Sequence, residues 1–352
     1  MELSLVIIKF ILVTIIFAIS LVVAMYSTYA ERKVAAFFQD RVGPNRAGPF
    51  GILQPLADGG KMFFKEEIIP TRANAFLFIV GPSLAILTAC IGTAVIPWGQ
   101  QMKIGSTLVD LQVTDINVGV LYLFGVVSLG VYGVMIGGWA SNNKYSLLGA
   151  VRAASQNISY EIAMGLSIIA LLMITGTLSL KEITDQQHGF WKGHYFTWNV
   201  FRQPLGFVLF LICAFAETNR SPFDLPECET ELVGGYHTEY SSMKMGFYLF
   251  AEYINMFVSS AVMATLYWGG YNYPGMDWMN NILGPTWGPL FGVAVLFAKI
   301  FGFIFFFMWV RWTIPRFRYD QLMDLGWKIL IPLAIANIVL TGLFSTYLSK
   351  LF

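Results

Sequence analysis

Long apolar runs alternate with short polar segments along the chain. Runs long enough for the ~30 Å hydrocarbon core of a bilayer occur at about residues 3–30, 74–98, 116–139, 147–179, 201–218, 243–269, 287–312 and 326–349. They predict an all-α polytopic membrane protein with eight transmembrane helices, residues 1–352 forming one membrane domain. The fourth run is over-long for a perpendicular helix, so it tilts, bends or protrudes. The fifth is the opposite case. Its purely apolar part, Pro204 to Ala216, has only 13 residues, which places Glu217 near the membrane edge. Residues 49–66, PFGILQPLADGGKMFFKE, are too short and interrupted to span. Phe50, Ile52, Leu53, Leu56, Met62, Phe63 and Phe64 are set to face lipid, with Asp58, Lys61 and Lys65 in water. That pattern predicts an interfacial amphipathic helix within a cytoplasmic loop over 31–73; a folded loop packed on the spans is the alternative.

Composition agrees with the pattern. The chain is 56% hydrophobic, 16% aromatic and 12% charged, with mean hydropathy +0.63, whereas soluble domains average about 25% charged residues. A net charge of +1 gives no reason to expect nucleic acid. Cys90, Cys213 and Cys228 form no CxxC pair and no metal-ligand spacing, so no metal site is expected. His188, His194 and His237 lie in polar segments and offer no pair for haem inside the membrane. Any electron transfer must then use centres on a partner. The first run is longer than a signal-peptide core and lacks a small-residue cleavage site before Glu31-Arg32-Lys33; an uncleaved first span is expected.

Basic residues set the direction. Arg32, Lys33, Arg41, Arg46, Lys61, Lys65, Arg72, Lys144, Arg220, Lys244, Arg316 and Arg318 follow spans 1, 3, 5 and 7, with Arg152, Arg311 and Lys328 at the boundaries. The opposite loops hold far fewer, Lys103, Lys181, Lys192 and Arg202 among them. The asymmetry predicts cytoplasmic odd-numbered loops and both termini outside.

Four charged residues fall inside predicted spans: Arg152, Glu161, Glu252 and Lys299. Each costs about 2.5–3.5 kcal/mol at a bilayer centre on insertion scales and normally faces protein or water along an ion path. Pairing of Glu161 or Glu252 with Arg152 or Lys299, as helix glue, is the plainer reading. The cytoplasmic loop over 218–242 is different. The stretch AETNRSPFDLPECETELVGGYHTEY carries Glu217, Asp224, Glu227, Glu229, Glu231 and Glu239 against one base, Arg220. Pro222 and Pro226 interrupt helix formation, so 218–226 is expected to be irregular. An extended chain would align Glu227, Glu229 and Glu231; a helix would align only Glu227 and Glu231. Crowded carboxylates raise one another's proton affinity. The residues are equally consistent with a proton-responsive element and with a solvated acidic face for a basic partner.

Five motifs carry a closer identification. ERKVAAFFQDRVGPNRAGPFGILQPLADGGKMFFKE, GWASNNKYSLLGAVRAASQNISYE, the acidic stretch itself, FYLFAEY and WVRWTIPRFRYDQLM closely resemble the H subunit family of NADH–quinone oxidoreductase, respiratory complex I, whose mitochondrial counterpart is NADH dehydrogenase subunit 1. The resemblance runs from about residue 20 to 330. Segment 185–200 matches none of the family's motifs. The resemblance implies a multi-pass subunit of the bacterial cytoplasmic (inner) membrane, at the junction with the hydrophilic arm. It would form the membrane part of the quinone chamber and begin a carboxylate path toward the antiporter-like subunits. Ubiquinone or menaquinone would be the substrate. NADH, flavin and iron–sulfur sites would lie on partner subunits. Matching motifs assign Glu31, Arg32, Arg41, Asp58, Lys61, Glu66, Arg220 and Asp224 to the chamber. They assign Glu161, Glu217, Glu227, Glu229, Glu231, Glu252 and Tyr253 to proton coupling. Two other classes share some features: the membrane subunit of an energy-converting hydrogenase, and a stand-alone proton-coupled transporter.

Overall fold

The computed structural model describes residues 2–104, 107–189, 191–192, 195–226 and 229–351. Its helices are α1 (Glu2–Phe38), α2 (Gln54–Phe64), α3 (Ala75–Ile91), α4 (Gly119–Ala140), α5 (Lys144–Thr175), α6 (Leu180–Gln186), α7 (Asn199–Arg202), α8 (Pro204–Glu217), α9 (Glu229–Leu232), α10 (Ser242–Tyr267), α11 (Met276–Thr313), α12 (Tyr319–Asp324) and α13 (Ile331–Leu351). A π-helical turn over Leu325–Leu330 joins α12 to α13. Two small antiparallel hairpins lie between helices: β1 (Gln101–Ile104) with β2 (Thr107–Asp110), and β3 (Trp191–Lys192) with β4 (Tyr195–Phe196).

Seven stretches among the described residues are helical, long and apolar enough to cross a membrane: Val6–Phe38, Ala75–Val95, Gly119–Ala140, Lys144–Thr175, Ser242–Tyr267, Met276–Thr313 and Tyr319–Leu343. The protein is a multi-pass, all-α membrane protein. Helix α8 has 14 residues, about 21 Å at 1.5 Å per residue, and is the shorter apolar helix of the set. Pro204 opens it, where a missing N–H costs nothing.

Several ends are set by recognisable chemistry. The Asn74 side chain accepts the Leu77 N–H at the start of α3, and Asn143 accepts that of Tyr145 at the start of α5. Gly176 closes α5 in the left-handed region at φ 69°. Two boundaries differ from the apolar runs. Helix α1 continues to Phe38, so Glu31, Arg32 and Lys33 ride on a helix instead of opening the loop; Ala35 and Ala36 on its last turns are buried. Helix α11 begins before residue 287 and bends at Gly284, φ 75°, just ahead of Pro285.

The core is built around α10, whose Ala251, Ile254, Phe257, Val258, Ala261 and Val262 are buried. Small residues bring α3 against α4. A Cβ on Gly81 would meet the Gly137 Cα at 2.9 Å, and one on Gly133 would meet the Ala85 N at 2.9 Å. This Gly-xxx-Gly ridge against Gly-xxx-Ala lets the backbones touch. Tyr248 and Tyr240 of the α10 side donate to the Gly133 and Gly137 carbonyls at 3.1 and 3.2 Å. A Cβ at Gly137 would stand 1.8 Å from Tyr248 Oη. Gly137→Val is therefore expected to lower the yield of folded protein in membranes severalfold, since overpacking costs ~1–3 kcal/mol or more. Gly125→Ala on the same helix meets open space and serves as the control; equal yields of the two variants would refute the close-packed ridge.

The ends of the bundle differ. One gathers the C-terminal turns of α1, α8 and α11, the N-terminal turns of α5 and α10, α2, α12 and the acidic stretch. The other carries both hairpins, α6, α7 and residues 268–275. There Lys299, reaching from α11, donates to the carbonyls of Trp268, Gly270 and Asn272 at 2.7, 2.8 and 2.6 Å. It lies 4.4 Å from the Trp198 ring centroid. Lys299 thus gathers the carbonyls of the turn that follows α10, while Gln187 and Asn199 donate to the Thr265 and Leu266 carbonyls in the last turn of the helix itself.

Candidate functional site

Helix α2 runs across the polar end. Phe50, Ile52, Leu53, Leu56, Phe63 and Phe64 are exposed, Phe64 at 93%, while Pro55 is buried and Met62 turns inward toward Gly246. Tyr29 donates to the Phe50 carbonyl at 2.7 Å and Ser242 to that of Met62 at 3.1 Å. On its inner side, Asp58 takes Arg32 Nη1 at 2.7 Å and the Gln54 amide at 3.1 Å.

Beneath this helix is a cavity of about 250 Å³ between α1, α2, α10 and α11. Met25, Pro55, Met62, Leu249, Phe250 and Trp312 give it apolar walls; Thr28, Glu31, Arg32, Asp58 and Tyr253 give it a polar side. An apolar space with a few convergent polar groups is the usual form of a small-molecule site. Two methionines add walls that adapt in shape.

Glu31 is the centre of the polar side. It is 7% exposed and serves three donors: Arg220 Nη1 at 3.2 Å, Arg311 Nη1 at 2.6 Å and Tyr253 Oη at 2.8 Å. Arg220 is buried beside it, 4.1 Å from the Tyr253 ring centroid, in cation–π range. Burial works against the charge of Arg220, but Tyr253, Glu31 and Glu252 outweigh it, and its pKa is raised above the usual arginine value. Asp224, also buried, pairs with Arg316 at 2.7 Å. The acidic stretch is thereby tied to the end of α11 and the segment after it.

Of the chamber residues expected from sequence, Glu31, Arg32 and Asp58 line the cavity, and Arg220 reaches it through Glu31. Asp224 does not line it and pairs instead with Arg316, which lies outside the wall as well. Arg41, Lys61 and Glu66 do not line it; Arg41 donates to Gln39 at 2.7 Å.

The residues expected from sequence to couple protons spread from this point. Residues 218–226 are irregular, as the prolines predict. Gln156, buried on α5, pins them by donating to the carbonyls of Ala216 and Phe223 at 2.7 and 2.8 Å. Glu227 lies outside the described residues. Glu229 opens the short α9, and Glu231 pairs with Arg152 at 2.6 Å. Glu252 accepts from Tyr236 Oη at 2.9 Å. Glu217 ends α8 and lines a small cavity with Thr218, Asn255 and Ser259. Glu161 accepts from Ser128 of α4 and sits in an apolar groove between α4 and α5. The helix-glue pairings do not form: Arg152 goes to Glu231 and Lys299 to backbone carbonyls.

Sequence reasoning misses the partners. Arg311 and Arg316 enter it only as basic residues that orient the chain, although both sit in the WVRWTIPRFRYDQLM motif. Tyr236, Ser128 and Gln156 have no charge to mark them.

The fold and this end of the bundle define a class: a polytopic membrane protein with a buried arginine–carboxylate cluster beside an apolar cavity, and carboxylates leading into the spans. The chain belongs to the NADH dehydrogenase family, whose model matches residues 10–342. The NADH-quinone oxidoreductase H subunit of Flavobacterium johnsoniae is 65% identical, over 97% of this chain and 96% of the relative. The corresponding H 1 subunit of Cytophaga hutchinsonii is 67% identical over 95% of each. The H 2 subunit of Geobacter metallireducens is 48% identical over 94% of this chain and 93% of its own length.

Proposed function

We propose that this chain, like its relatives a membrane subunit of NADH–quinone oxidoreductase, forms the membrane part of the quinone chamber and begins the carboxylate path that couples quinone reduction to proton translocation. The observation that carries the reading is the cavity under α2, where Arg32, Asp58, Glu31 and Tyr253 meet apolar walls. A quinone has a flat polar ring on an apolar isoprenoid tail, and both halves are served there. The volume is below the ~300–1,000 Å³ of pockets for whole drug-sized ligands, so the cavity takes a ring or a length of tail as the molecule passes. Flavin and iron–sulfur clusters fall to partner subunits, with the hydrophilic-arm quinone subunits over the polar end and the small and antiporter-like subunits beside the spans.

In this reading α8 is an eighth crossing, shortened at the Glu217 end. Helix α2 lies on the membrane surface with Leu56, Phe63 and Phe64 toward lipid. The polar end, with the segments 31–73 and 218–242, faces the cytoplasm of a bacterial cell, and both termini face outward. When the quinone gains two electrons it needs two protons. The acidic stretch feels that demand, and Glu252, Glu217 and Glu161 carry the response inward. The relatives' names favour this reading over an energy-converting hydrogenase or a stand-alone transporter.

Arg32→Ala tests the chamber. The Arg32–Asp58 pair is partly exposed, and exposed pairs contribute only ~0–1 kcal/mol to stability, so assembly is expected to survive. The apparent KM for quinone is expected to rise about threefold or more, while NADH oxidation by an artificial acceptor upstream persists. Unchanged quinone kinetics in the assembled variant would remove Arg32 from the chamber.

A further inference from the structure

Helix α10 is apolar along most of its length, yet Glu252, Asn255 and Ser259 recur at i, i+3 and i+7. That spacing puts them on one face of a helix. The face is turned toward the end of α8. Asn255 and Ser259 line, with Glu217 and Thr218, a cavity of about 20 Å³ closed by Phe124, Phe210 and other apolar side chains.

Ser259 stands apart from its neighbours. Buried hydroxyls in these helices commonly return their proton to their own backbone: Ser260 donates to the Met256 carbonyl at 2.7 Å, Thr265 to Val262 at 2.9 Å and Ser167 to Met164 at 2.7 Å. Ser259, 9% exposed, makes no such bond, and its Oγ has no protein partner. A buried hydroxyl left without a partner is destabilising, so the site favours one that can bond to it. Thr218 is already engaged, donating to the Ala214 carbonyl at 3.0 Å.

We propose that Glu217, Asn255 and Ser259 bind one ordered water molecule in this cavity, and that the water links Glu217 to the polar face of α10. A cavity needs ~10–15 Å³ of free room to hold one water, and the water needs two to four polar partners. The space here suits one water and not a chain of them. Its partners are the Glu217 carboxyl group, the Ser259 hydroxyl and the Asn255 amide. The ends of the transfer are two carboxylates, Glu217 and Glu252, the latter one turn before Asn255 on the same face of α10: the water accepts a proton from one as it gives one up to the other and is left unchanged. Ser259 and Asn255 are positioning residues: they fix the water and carry no proton of the path themselves. The role in proton movement rests on the coupling function proposed above; the water site itself does not.

Two measurements on the intact assembly test it. In a map fine enough to show other buried waters, a density peak is expected within hydrogen-bond distance of both the Glu217 carboxyl group and Ser259 Oγ. Its absence would overturn the site, whatever the variants do. The second measurement is turnover in H₂O and D₂O of the double variant Ser259→Ala/Asn255→Leu, normalised to assembled complex, beside Glu217→Gln. The double variant is expected to lose about tenfold in quinone-linked turnover, with a larger solvent isotope effect than the parent, because proton transfer has become the slow step. A merely structural role would lower turnover without moving the isotope effect. If Glu217→Gln is impaired while the double variant keeps parental turnover and isotope effect, the water link fails and the coupling role of Glu217 stands. Parental pumping in Glu217→Gln would sink the coupling role, and the link with it.

Discussion

Glu31→Ala is expected to abolish quinone-linked turnover, by a hundredfold or more, and to lower the thermal stability of the assembled subunit. Glu31 is the shared anion of two arginines, one of them, Arg220, buried. Removing one partner of a buried ion pair costs ~3–5 kcal/mol, because a buried charge is left uncompensated. Here the loss leaves Arg220 and Arg311 facing each other and strips Tyr253 of its acceptor. Relaxation of α1 away from α10 and α11 would open the cavity wall. Glu31→Gln separates the terms: it keeps an acceptor for Tyr253 and removes the charge. It is expected to assemble better than Glu31→Ala and still lose at least tenfold in turnover, ~1.4 kcal/mol on the barrier. Assembly is read from complex content in membranes, and turnover from NADH-driven quinone reduction. A Glu31→Ala variant with parental stability and turnover would show that the cluster is dispensable.

The second large effect is expected at Glu217. Gln keeps the size and hydrogen-bonding capacity of the side chain, so α8 and its packing are expected to persist, but Gln takes up no proton. Glu217 stands between the pinned acidic stretch and the spans. Cys213, Ala214 and Ala216 of the same helix end are buried, and no second carboxylate among the described residues lines its cavity. A path through this point therefore has no substitute there. Glu217→Gln is expected to cut turnover and proton translocation together, at least tenfold, in sealed vesicles normalised to assembled complex. The triple change Glu227→Gln/Glu229→Gln/Glu231→Gln is expected to act in the same direction. Its single changes are milder, since neighbouring carboxylates share a titration. Parental pumping in the assembled triple variant would return that stretch to a solvated acidic face.

Much of the architecture is legible in hydropathy because lipid imposes it. Apolar runs of sufficient length become helices, and the Pro204–Ala216 run is short in sequence and short in the fold. The outward apolar face of 49–66 is likewise readable, since most of the positions the pattern sets toward lipid are exposed; Met62 is the exception and turns inward. The extension of α1 is hidden. Glu31-Arg32-Lys33 reads as a polar stop, yet the helix continues because Glu31 finds Arg220 and Arg311, and Arg32 finds Asp58. Those partners are tertiary: Glu31 and Arg220 are 189 residues apart. No periodicity reports such a distance. The same limit explains why sequence reasoning matches Arg152 and Lys299 with the wrong partners. Hydropathy marks a charge inside a span but does not say that a lysine will gather the carbonyls of the turn after a neighbouring helix. Neutral donors such as Tyr236, Ser128 and Gln156 leave still less trace, because these residue types are common in helices of every kind.

The central claim is that quinone passes through the cavity under α2. A photoreactive quinone, with a short isoprenoid tail and a diazirine beside the ring, is crosslinked in the intact assembly, and the labelled peptides of this chain are mapped by mass spectrometry. Labels competed away by unmodified quinone are expected within residues 25–32, 55–62 and 246–253. Competed labelling confined to the opposite end, at the β1–β2 hairpin and the first turns of α1, or no competed label on this chain, would contradict it.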